Sequence, residues 1–194
     1  MARAGRKRKI EVVRDKNGIS RNSRYIEKQY YAQTLARRGV DLEHDRLKPE
    51  HAGNPLAGFT LGRLFLLHQQ APEDPFGISE VQYNAGNMWA GIVHDHARLM
   101  GYKLSVKSPG FHLVSAGVSC STEPTQEEID RIRSRWKASY DALMESCREL
   151  DMGLRARDVT YGVCVENWPI RIISPDDVGK LRTSLNYIGR ALRV

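Results

Sequence analysis

Apolar residues recur at three- and four-residue steps through residues 78–101, ISEVQYNAGNMWAGIVHDHARLMG. Val81, Ala85, Met88, Trp89, Ile92, His96 and Leu99 fall on one side of a helical wheel, which predicts a long amphipathic helix. Ser79 followed by Gln82 is a capping box at its start, and Gly101 stops it as a C-terminal cap. The rest of the chain is expected to be arranged around this helix.

A second strong pattern covers residues 125–150. Thr125 and Glu128 form another capping box, and Ile129, Ile132, Trp136, Tyr140, Leu143, Cys147 and Leu150 share a face. Arg131, Arg133, Arg135 and Lys137 crowd the outside of its middle. Near the C-terminus, residues 155–165 predict a short helix with Val159, Val163 and Cys164 inward, followed by a turn at Asn167-Trp168-Pro169. Ser174-Pro175-Asp176-Asp177 then opens a last helix: a cap, a proline at the first position, and acids at the positive end of the dipole. Val178, Leu181, Leu185, Ile188 and Leu192 supply its apolar stripe, with Lys180, Arg182, Asn186, Tyr187 and Arg190 outside. The pair over 155–192 fits a helix-turn-helix reading of a major groove, and equally the last two helices of a bundle.

Earlier in the chain, residues 25–38 predict a helix with Ile26, Tyr30, Thr34 and Leu35 on one side, ended by Gly39. Residues 41–59, with Pro49, Gly53, Pro55 and Gly58, read as a loop. The short apolar run 60–68 reads as a helix capped by Thr60. Residues 102–124 alternate too briefly for more than a loop with a small hairpin. The expected fold is mostly α: a helical bundle with a basic N-terminal arm. Its parts are an arm at 1–24, a helix and linker at 25–59, and a helical core at 60–194.

Charge changes the picture. Residues 1–48 carry 14 Lys/Arg against 6 Asp/Glu, while the remainder holds 16 against 17. All the excess of the net +7 therefore sits in the first quarter. Within it, Arg3, Arg6, Lys7, Arg8, Lys9, Arg14, Lys16, Arg21 and Arg24 face only Glu11 and Asp15, with no long apolar face to fold against. A cationic arm on a balanced body is the electrostatic footprint of a polyanion binder, with affinity that falls steeply with salt. The expected nucleic-acid contacts are those nine residues with Lys180, Arg182 and Arg190 of the last helix; DNA and RNA both remain open.

Candidate chemistry is thin. His94 and His96 point about 200° apart on a helix, so one metal cannot easily take both. Cys120 has His112 eight residues before it but no nucleophile signature around it, and Cys147 falls on an apolar stripe. No phosphate-binding glycine loop, HExxH or GxSxG occurs. The expectation is a protein that is not an enzyme and needs no cofactor or metal. Three cysteines without a CxxC pair suit a reducing cytoplasm. No apolar run approaches the ~20 residues of a membrane span, and no signal peptide is expected.

The segments RKRK and GISR near the N-terminus, PLAGFTLGRL, ISEVQYNAGNMWAGIV and DVTYGVCVENWP with LRTSLNYIGRAL resemble a loose group of bacterial prophage proteins. The C-terminal third is similar in pattern to the helical domain of gene-transfer-agent transcriptional activators. The resemblance implies a phage-type regulator, an activator or antiterminator acting on nucleic acid and on RNA polymerase. A different class, a phage DNA-packaging protein of small-terminase type or a virion component, is the alternative.

Overall fold

The computed structural model describes residues 21–102, 104, 124–149 and 153–194, with the backbone alone for 21–28, 38 and 149. Among them the protein is helical, with seven α-helices and no strand. The helices are α1 (Arg21–Arg38), α2 (Pro49–Ala52), α3 (Thr60–Gln70), α4 (Glu80–Leu99), α5 (Gln126–Glu149), α6 (Gly153–Cys164) and α7 (Pro175–Leu192). Single 3-10 turns occupy Pro55–Gly58 and Ile170–Ile172.

The ends of the helices follow local chemistry. Ser79 and Ser174 each close a capping box, with Gln82 and Asp177 respectively. Thr125 does the same with Glu128, whose carboxylate accepts the Thr125 amide at 3.0 Å. At the other end, Gly39 and Gly101 take positive φ, 62° and 72°. That conformation lets Val40 N–H reach Leu35 O at 3.0 Å and Tyr102 N–H reach Ala97 O at 2.8 Å, satisfying last-turn carbonyls.

The helix α7 is the central member, packed against α4, α5 and α6. Val178, Leu181, Leu185 and Ile188 are fully buried, as the stripe predicts. Small residues set the close crossings. Ser146 Oγ and Ser184 Oγ lie 3.2 Å apart between α5 and α7. A Cβ on Gly86 would stand 2.7 Å from Leu61 Cδ2, so α4 and α3 cross closely there, with the Leu61 methyls filling the space over the glycine.

Several expectations shift. On α4, Val81 and Met88 are exposed, whereas Gly86, Ala90, Val93 and Ala97 are buried. The helix is covered on two sides, so its buried arc is wider than one stripe, and much of it is lined by residues too small to register as apolar markers. On α1, Tyr30 is exposed and its neighbour Tyr31 makes the tertiary contact, donating to Pro49 O at 2.6 Å. Residues 41–59 are no linker: Leu47, Ala52 and Ala57 join the same core as α7, and α2 and a 3-10 turn lie within the segment.

That segment is held by Arg63. Its Nε donates to Ala57 O at 2.7 Å, Nη2 to Gly39 O at 3.1 Å, and Nη1 pairs with the buried Asp45 carboxylate at 3.0 Å. The α6–α7 connection runs through residues 165–174 with a 3-10 turn inside it. A helix-turn-helix joins its helices with about three to four residues, so this pair is a bundle corner of another kind.

Candidate nucleic-acid interface and aromatic cleft

Of the residues expected to touch nucleic acid, Arg3, Arg6, Lys7, Arg8, Lys9, Arg14 and Lys16 lie outside the described residues, as do Cys120 and His112. Arg21 and Arg24 fall in the first turns of α1. The three α7 cations have separate fates. Lys180 is paired with Asp176 at 2.6 Å, one turn earlier. Arg182 is not presented outward: Nε donates to Gly77 O at 2.7 Å, and Nη2 reaches the carbonyls of Asp74, Pro75 and Gly77. These bonds tie α7 to the loop before α4. Arg190 is exposed, its guanidinium 5.7 Å from the Tyr187 ring centroid.

The cations of α5 are different. Arg131, Arg133, Arg135 and Lys137 are all exposed, and none forms an ion pair among the described residues. Arg131 and Arg135 lie one turn apart on one flank, Arg133 and Lys137 one turn apart on the other.

Beside the second flank lies a cleft of about 500 Å³, between α4, α5, α6 and the turn that follows α6. Its lining comprises Trp89 and Val93 of α4, Trp136, Tyr140 and Leu143 of α5, and Arg157, Asp158, Tyr161, Glu166 and Trp168. Two rings stack on Trp136: His96 at 4.1 Å between centroids and 9° between planes, and Tyr140 at 5.1 Å and 11°. Trp89 meets Tyr161 edge-on at 6.3 Å. Trp168 lies flat over Gly162, where a Cβ would fall 2.2 Å from its ring.

The polar groups of the cleft are arranged around these rings. Glu166 Oε2 accepts the Trp168 indole N–H at 2.8 Å. Arg157 donates twice to Asp158 Oδ1, at 3.1 and 2.8 Å, and Asp158 holds the guanidinium more firmly charged. Burial, helped by the Glu166 charge, pushes the Tyr161 phenol up, so it stays protonated and able to donate. Burial and the neighbouring Arg133 cation hold His96 below the usual histidine range, so at neutral pH a neutral imidazole stacks on Trp136.

Among the described residues, no group of three or more His, Cys, Asp and Glu side chains is placed to hold a metal ion. His94 is shifted down by burial, and the Cys164 thiol is pushed far up by it, so neither a charged imidazole nor a thiolate is on offer there. Cys147 is buried. No described helix is long and apolar enough to cross a membrane.

The periodicity placed Trp136 and Tyr140 on one face, but the cleft was not visible in it. Its residues come from separate helices, and only the packing brings them together. The one local signal was the dense aromatic content of residues 136–168, with Trp136, Tyr140, Tyr161 and Trp168. No protein-family profile, curated protein sequence or solved structure matches this chain.

Proposed function

We propose that this protein regulates transcription by binding nucleic acid, as an activator or antiterminator of prophage type working in the cytoplasm with RNA polymerase, and that it binds rather than catalyses. The observation that carries the reading is the distribution of charge: 14 basic against 6 acidic residues in the first 48, joined to a balanced helical body. The exposed cations in the middle of α5, with no ion pair among the described residues, add a second group of positive charges on that body. Exposed lysines and arginines release counterions when they meet phosphates, whereas the guanidinium N–H groups of Arg63 and Arg182 are already turned to partners within the fold.

Removal of residues 2–20 leaves α1 whole and tests the proposal. Affinity for DNA or RNA should drop at least tenfold at moderate salt, with a shallower dependence on salt concentration. Binding equal to that of the full chain at every ionic strength rejects the arm. A ring-sized mass in light scattering would instead favour a packaging subunit of small-terminase type.

A further inference from the structure

All three tryptophans of the chain line the one aromatic cleft. Two carboxylate oxygens in it lack hydrogen-bond partners among the described residues. Glu166 uses Oε2 on the Trp168 indole, which leaves Oε1; Asp158 takes both Arg157 bonds on Oδ1, which leaves Oδ2. Acceptors left open beside aromatic walls recognise a ligand that is flat, has π-faces, and carries N–H donors on an edge.

We infer that this cleft takes an unpaired nucleobase of single-stranded nucleic acid, with guanine the best match. This rests on the nucleic-acid reading above and deepens it. Guanine presents N1–H and N2–H₂ on one edge, two donors for the two open oxygens, one on Glu166 and one on Asp158. Uracil presents a single N–H between two carbonyls. The nearly parallel His96, Trp136 and Tyr140 rings form a stack that a base can extend, which is how single strands are gripped on aromatic platforms.

Charge places the backbone outside. Within the lining, Arg157 stands against Asp158 and Glu166, so a phosphate is repelled from the interior. On α5, Arg133 is three residues from Trp136 and Lys137 three from Tyr140, both exposed, so they offer cations to phosphates next to the rings. An organic cation is the other ligand that aromatic walls attract. Here Arg133 and Lys137, exposed beside the rings, repel it.

Tryptophan fluorescence of the full chain reports the cleft directly, because no tryptophan lies elsewhere. Titration with guanosine monophosphate should give saturable quenching, at least tenfold tighter than with uridine monophosphate. Glu166→Gln retains an oxygen for the Trp168 indole and should erase most of that preference. Tyr140→Leu should weaken both nucleotides alike, with helicity unchanged by circular dichroism. Quenching by tetramethylammonium and by neither nucleotide overturns the inference. So does the absence of quenching by any nucleotide while the arm still confers nucleic-acid binding, and that outcome leaves the broader reading standing. Guanosine monophosphate binding with no arm-dependent affinity for a polymer would sink the broader reading and keep the cleft.

Discussion

The side-chain oxygen of Asn167 accepts the backbone N–H of Thr60 at 2.6 Å, across 107 positions of sequence. Thr60 does not cap its own helix; its hydroxyl is buried and donates to Trp168 O at 2.6 Å. The N-terminus of α3 is thus completed by the turn after α6, where Asn167 sits at φ 58°. Asparagine suits both demands, since it tolerates the left-handed region and carries an acceptor.

Substitutions at Asn167 should separate those demands. Asn167→Gly keeps the backbone free and removes only the cap, so it should cost a few tenths to about 1 kcal/mol in denaturant melts. Asn167→Ala adds the left-handed penalty of roughly 1–2 kcal/mol. Equal losses for the two would show that backbone strain plays no part.

Arg155 forks onto Asp177, with Nε to Oδ1 at 2.8 Å and Nη2 to Oδ2 at 2.7 Å. The same carboxylate accepts the Ser174 amide in the α7 capping box. The guanidinium, then the box, hold Asp177 well below the usual carboxylate range. Because the native value is depressed, the stabilisation is fully present above the unfolded pKa of about 4 and drains away as pH falls below it toward the native value. Asp177→Asn should therefore flatten stability against pH in that acid window. A parallel offset with no change of slope would count against the linkage.

Arg63 and Asp45 form a buried pair, each 5% exposed. Arg63→Leu strands the Asp45 carboxylate and should destabilise the fold by about 3–5 kcal/mol. Adding Asp45→Leu should recover much of this, since the lone charge is the main penalty. A double variant no better than the single one would assign the loss to the Arg63 bonds with Gly39 and Ala57 instead.

Gly162→Ala places a methyl 2.2 Å from Trp168 Cδ2. The indole must tilt away, at a cost of about 1–3 kcal/mol, and the cleft loses that wall. Red-shifted tryptophan emission should accompany the loss. An unshifted spectrum would mean that α6 moves and the ring does not.

The two flanks of α5 should differ in nucleic-acid binding. Replacing Arg133 and Lys137 with alanine should lower the log–log salt slope by about 1 for each phosphate contact removed. The Arg131 and Arg135 pair, on the flank away from the rings, should matter less. The reverse order would move the interface off the cleft.

The seven helices divide into features that neighbours in sequence control and features that they do not. Capping boxes at Ser79, Thr125 and Ser174, glycine stops at Gly39 and Gly101, and the buried stripe of α7 were readable because each depends on residues within about four positions, while the α5 stripe is buried only at Leu143 and Cys147. Val81 and Met88 misled because helix periodicity reports an apolar face without saying how many neighbours cover it. Arg63 and Arg182 look alike in the sequence to Arg133 and Lys137. Yet the first two are consumed by carbonyls and a carboxylate from distant segments, and the last two stay in solvent. The same holds for the cleft: Trp89, Trp136, Tyr161 and Trp168 are dispersed along the chain and converge only when α4, α5 and α6 choose which faces to bury. Local bonding sets the elements; long-range packing sets which charges remain available and where the rings meet.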